Sequence, residues 1–275
     1  MRNYSYIAEY KAEVSKYQTK DGINAIGFFL FYCVMLFALG VTRRLGWDTF
    51  ITGTVFLIVV IAAIVALVLI KKEGLSSIGF RRKNLWPALR LGLLFGFIPV
   101  LIGGGLIPGL IIYNWEFQAF SAIVISTLIT FFNAAHEDMI FVGYIQTRLY
   151  GLIKRDYMAI LAGACLFSLM HIMPQLGQHG LEAFNFGNLI WLLVLIPMHV
   201  FMNALFRRYY SIYPVMILHT LNNGAANMWV STDSFWLGRG NLIVVGVYVL
   251  VFGIWILYLR RKESESSKVE GGSKE

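Results

Sequence analysis

The sequence predicts an all-α protein, a polytopic membrane helical bundle of about eight transmembrane helices with N- and C-termini cytoplasmic. Three observations carry that expectation. Charged residues are 14% of the 275 positions and hydrophobic residues 58%, whereas soluble domains carry about 25% charged residues. Apolar runs of about 20 residues, the length that crosses a bilayer as a helix, recur along the chain. Lys and Arg gather between alternate runs, as cytoplasmic loops do. The net charge of +8 is spread over these loops rather than held on one patch, so it is no nucleic-acid footprint. Cys33 and Cys165 both fall in apolar runs and read as small core residues rather than a disulfide or metal pair.

Residues 1–22 place Ile7, Tyr10, Val14 and Tyr17 at helical spacing between lysines and glutamates. This predicts a short amphipathic helix on the membrane surface. Eight apolar segments follow at 23–41, 51–70, 86–107, 119–147, 157–173, 188–206, 212–230 and 241–259. The third contains Gly103-Gly104-Gly105 and then Pro108, which loosen or end a helix. The fourth is too long for a simple span and must tilt or project beyond the hydrocarbon. The three regions are thus 1–22, a transmembrane domain at 23–259 and a polar tail at 260–275, expected to be disordered.

With the N-terminus inside, 20 of the 23 Lys and Arg lie on the inner side. Only Arg43, Arg44 and Arg239 remain outside. Trp47, Trp115, Trp229 and Trp236 then fall near outer ends, where an interfacial aromatic belt belongs.

Within this apolar frame, His136, Glu137 and Asp138 stand in a row inside the fourth segment. Ionisable groups inside a membrane cost several kcal/mol and mark functional sites by default. On an ideal helix Asn133, Glu137 and Phe141 share one stripe, and Asp138 points about 100° away from Glu137. The rise of about 1.5 Å per residue puts Glu137 about 16 Å from Arg148 at the inner end of its segment. The candidate partners are His171 at the end of the fifth segment and His219 with Asn223, one turn apart on the seventh. These could surround one buried cavity with Glu137. His199 and Asn203 share the same spacing on the sixth segment. The plainer alternatives are a histidine bonded to neighbouring backbone, Asn222 or Asn223 as helix-packing amides, and His136 as a cavity-lining residue.

The order of these residues resembles the CAAX-protease and bacteriocin-processing family, which includes the type II CAAX prenyl proteases. Its first motif reads Glu-Glu-x-x-x-Arg, often followed by Gly-Tyr, and stands here as Glu137-Asp138-Met-Ile-Phe-Val142-Gly143-Tyr144. The second, Phe-x-x-x-His, stands as Phe167-Ser-Leu-Met-His171, and the third as His219-Thr-Leu-Asn222-Asn223. The resemblance covers roughly residues 70 to 230. Two departures stand out. The second acid is Asp138, and the arginine four residues after it is Val142, which leaves Asp138 without its expected counter-ion.

The resemblance implies an integral multi-pass membrane protein, in the cell membrane if the host is prokaryotic. It also implies intramembrane hydrolysis of a prenylated or hydrophobic peptide. Glu137 would act as general base on water and His171 would hold that water. His219 and Asn223 would serve the oxyanion, with Asp138, His136, Phe167 and Asn222 in support. A zinc set of Glu137, His171 and His219 is the competing reading, and the resemblance favours a mechanism without obligatory metal. Two non-hydrolytic classes stay open: a membrane scaffold or bacteriocin-immunity protein, and a transporter relaying protons through Glu137 and the histidines.

Overall fold

The structure is a computed structural model, and it describes residues 6–103, 106–110 and 115–230, with isolated positions between 243 and 254. Among the described residues the regular elements are all helices, apart from one antiparallel bridge between Phe117 and Trp229. Among the described residues, six helices are long and apolar enough to cross a membrane. The seventh expected segment forms a shorter helix, and most of the eighth, like the 260–275 tail, lies outside the described residues.

Helix α1 (Tyr6–Val14) departs from expectation. Its apolar face does not lie on lipid. Tyr10 is fully buried, with its ring edge-on to Tyr150, Phe206 and Tyr210 at 5.7–5.9 Å. Bundle ends already offered an aromatic surface, so the helix docks on protein. Residues 19–22 belong to the next helix, α2 (Thr19–Arg44), where Asp21 accepts the Gln18 backbone N–H. Helix α3 (Thr49–Ile70) returns antiparallel, its first turn capped by the Asp48 carboxylate on the Ile51 N–H.

Helix α4 (Leu85–Ile98) runs into a π-helical stretch at Pro99–Gly103, which begins at the proline, and a short α5 (Leu106–Pro108) follows; Gly104 and Gly105 lie outside the described residues. The long fourth segment is α6 (Phe120–Asp138), a π-helical stretch Met139–Ile145 and α7 (Gln146–Leu149), a continuous span of 30 residues. The π stretch begins directly after the two acids. Single-turn π geometry inside α-helices is frequent at functional sites because it re-aims side chains.

Helix α8 (Asp156–Met170) ends at His171, and α9 (Ile172–His179) continues after that turn. Helix α10 (Phe186–Tyr209) packs against α8, and α11 (Tyr213–Gly224) packs against α4 and α6. Close approach of α2 and α9 depends on two glycines. A Cβ on Gly40 would collide with the Pro174 carbonyl, and one on Gly177 with that of Phe37. The core beneath is built from Tyr32, Phe141, Phe167, Met202 and Leu218, all essentially inaccessible.

Candidate active site

The π stretch and the end of α6 set two carboxylates against α11. Asp138 Oδ1 lies 3.0 Å from His219 Nδ1, with both side chains buried. Glu137 Oε2 lies 3.8 Å from His219 Nε2. That is too long for a direct hydrogen bond, yet one oxygen atom could bond both groups. The expectation that Asp138 lacks a partner is therefore corrected. His219 from another helix inserts between the two acids, and their angular separation on α6 is what allows it to touch both. Val142, where the family pattern has arginine, is fully buried in the apolar core. Arg148 does not replace that arginine. It pairs with Glu73, donates to Ser77 Oγ at 3.0 Å and lies between the rings of Tyr17 and Tyr144.

Phe167 packs at the centre of the histidine cluster. It stacks on His199 with centroids 4.0 Å apart and stands edge-on to His171 at 4.7 Å and His219 at 6.0 Å. His171 Nδ1 lies 2.9 Å from the Phe167 carbonyl. A carbonyl cannot donate, so this nitrogen carries the proton and Nε2 presents a lone pair. His136 follows the same logic. Its Nδ1 faces the Phe132 carbonyl at 3.3 Å, and its Nε2 accepts from the Tyr32 hydroxyl at 3.0 Å.

Asn223 sits one turn beyond His219 and is exposed; its Oδ1 accepts from Asn222 at 3.1 Å. Asn222 also reaches Met198 Sδ at 3.7 Å. So Glu137, Asp138, His219 and Phe167 form one connected group, His171 joins it through Phe167, and Asn223 stands at its edge. His199 and Tyr32 hold the cluster from behind, and residue spacing points to the first but not to the second. His199 receives the Asn203 amide at Nδ1, 2.9 Å away, and that pairing is visible in the sequence as a four-residue interval.

Glu137 opens on a cleft of about 490 Å³ between α2, α3 and α6, also lined by Asn133, His136 and Tyr32. The side chain of Glu137 is 21% exposed there, whereas that of Asp138 is not exposed at all. One acid thus meets the cleft and the other meets only protein. The zinc set does not fit this geometry. Among the described residues no three His, Cys, Asp or Glu side chains converge on one point where an ion could sit. The Nδ1 atoms of His171 and His219 are both engaged, which leaves their Nε2 atoms to serve the site. Cys33 and Cys165 are free thiols.

Residues 118–225 match the family model described as type II CAAX prenyl endopeptidase Rce1-like. The matched stretch runs from the approach to α6 through the end of α11, and it contains Glu137, Asp138, Phe167, His171, His219 and Asn223, whereas Tyr32 lies outside it. The resemblance seen in three short motifs is thereby met over one continuous segment. No curated protein matches the chain.

Proposed function

We propose that the protein is an intramembrane endopeptidase that hydrolyses a peptide bond of a prenylated or hydrophobic peptide, with Glu137 as general base on water. The observation that carries this reading is His219 held between Asp138 and Glu137, with only Glu137 facing the cleft. Glu137 takes a proton from water as the water oxygen attacks the scissile carbonyl. His171 Nε2, its tautomer fixed by the Phe167 carbonyl, accepts the other water proton as a hydrogen bond and aims the lone pair. His219, oriented through Nδ1 by Asp138, turns Nε2 toward the carbonyl oxygen, and with that nitrogen protonated it donates to the oxyanion. Asn223, one turn further along α11, is the second donor. The proton on Glu137 then passes to the leaving amine, and the peptide bond breaks.

The test is cleavage of a prenylated or apolar reporter by purified protein, with Glu137→Ala beside it. Cleavage that stops with the substitution supports the reading. Cleavage that continues in Glu137→Ala sinks it. The rival, a non-catalytic scaffold or immunity protein, draws on Val142 in place of arginine. It predicts no cleavage of any reporter by the unmutated protein.

A further inference from the structure

Helix α6 carries a polar stripe that the site leaves unused. Ser126, Thr130, Asn133 and Glu137 follow at intervals of four, three and four residues, which places them within about 60° of arc on an ideal helix. The opposite side of the helix presents Val124 and Leu128, apolar and exposed. From Ser126, near the start of α6, the stripe climbs about 16 Å to Glu137 at about 1.5 Å rise per residue.

The end of α11 matches the stripe from across. Asn223 and Asn227 continue one and two turns beyond His219, the second in the 3-10 turn Ala225–Met228, and both are exposed. Asn227 Nδ2 lies 3.4 Å from Thr130 Oγ1. Gly224 faces the same threonine: a Cβ there would rest 3.5 Å from Thr130 Cγ2, so α11 contributes no side chain at that point. Ser126 Oγ donates to the Ile123 carbonyl at 3.0 Å and Thr130 Oγ1 to the Ser126 carbonyl at 2.8 Å. Each hydroxyl thus uses its only proton within α6 and keeps a lone pair for another donor. A bare amide in hydrocarbon costs about 2–7 kcal/mol. Three exposed amides on one line, Asn133, Asn223 and Asn227, need a polar companion, and water is the smallest.

The cleft is ill suited to carry that water. It runs outward to Arg43 between walls that include Leu36, Leu39, Phe56 and Leu57. An apolar peptide seated there would displace water just when each bond hydrolysed consumes one molecule of it. We propose that the polar file between α6 and the end of α11 is the entrance by which water reaches Glu137 from the Trp229 end of the bundle, separate from the apolar cleft. Its purpose rests on the peptidase reading, but its contact with water can be read without cleavage.

The experiment uses the full chain with Cys33 and Cys165 replaced by alanine and one cysteine returned, at Thr130 or at Leu128. These positions lie at nearly the same depth on opposite sides of α6. The probe is a charged methanethiosulfonate, which reacts with the thiolate in water. Thr130→Cys should react at least about tenfold faster than Leu128→Cys, the effect of one unit in thiol acidity. Equal rates overturn the proposal. So does a Thr130→Cys protein that excludes the reagent by forming a disulfide with a second copy, since the stripe would then be a packing face. Against a reporter peptide, Thr130→Leu combined with Asn227→Leu should lower kcat at least about tenfold with KM nearly unchanged. Thr130→Ser with Asn227 intact, which keeps both polar groups, should recover the rate. A kcat unmoved by the leucine pair overturns the water entrance, and so does a change confined to KM, which would make the file part of the peptide's seat. Fast Thr130→Cys labelling in a protein that cleaves no reporter keeps the aqueous file and refutes the peptidase reading.

Discussion

Asp138 and His219 meet at 3.0 Å with neither side chain open to the cleft. Removing one member of a buried charged pair leaves the other uncompensated, which costs about 3–5 kcal/mol. Asp138→Ala should therefore lower stability by about that amount, read as a fall in unfolding temperature in detergent. Asp138→Asn preserves volume but removes the charge and alters which proton the Nδ1 bond can hold. Its expected effect is a drop in kcat of roughly 10²–10⁴ with KM nearly unchanged, since general acid–base groups are worth about that much. A KM effect alone would show that Asp138 shapes binding instead. Residue types and helical spacing make Glu137, His171 and His219 legible as a set. They do not reveal Asp138 as the orienter, because its angle from Glu137 is a property of α6 while the partner comes from α11. Arg148 shows the same limit. Its position suggests one more inner-face cation, yet it is fully buried among Glu73, Ser77, Tyr17 and Tyr144. Which cation of a loop turns inward is set by the acids and rings that other elements deliver.

At the scale of elements, α1 illustrates a face that periodicity finds and misassigns. The stripe of Tyr10 and Val14 is real, but it meets the ends of α7 and α10 rather than lipid. A polar contact adds to this docking. Glu9 accepts from Lys83 at 2.8 Å and lies 3.1 Å from Arg81. The Lys83 hydrogen bond, aided by the Arg81 charge, holds the Glu9 carboxyl below its usual range. The same bond raises Lys83 above the usual lysine range. A depressed carboxyl contributes above its unfolded range and is lost as pH falls through the folded one. A raised lysine contributes until the pH climbs past the lysine range. The clamp should thus hold across neutral pH and open in acid. Protease nicking of the N-terminal segment is expected to quicken as pH drops below the carboxylate range. In Glu9→Gln that pH dependence should vanish, while Tyr10 keeps the helix largely docked. Equal acid sensitivity in the variant would show that some other carboxylate controls α1.

At the scale of the whole molecule, contacts sort the helix ends onto two faces. One face gathers the Tyr10, Tyr150 and Tyr210 rings with the ion pairs Lys71–Asp21 and Arg207–Asp156. The other gathers the Gly40–Pro174 approach and the Trp115, Phe117 and Trp229 rings. The six candidate spans run alternately between these faces. Packing says which ends lie together and is silent on which compartment they meet; charge supplies that. The first face carries Lys71, Lys72, Arg81, Arg82, Lys83, Lys154, Arg155, Arg207 and Arg208, against Arg43 and Arg44 on the second. Acidic partners such as Asp21 and Asp156 do not cancel this bias, because orientation follows Lys and Arg rather than net charge. The first face should therefore be cytoplasmic, and the Glu137 cleft, with Arg43 at its outer end, should open toward the opposite side. The check is a pair of single-cysteine proteins with Cys33 and Cys165 removed. A membrane-impermeant maleimide should label Trp47→Cys on intact cells and Lys154→Cys only after permeabilisation. The reverse pattern would invert the molecule and turn the cleft toward the cytoplasm. The site geometry would be untouched, but the substrate would have to arrive from the other compartment.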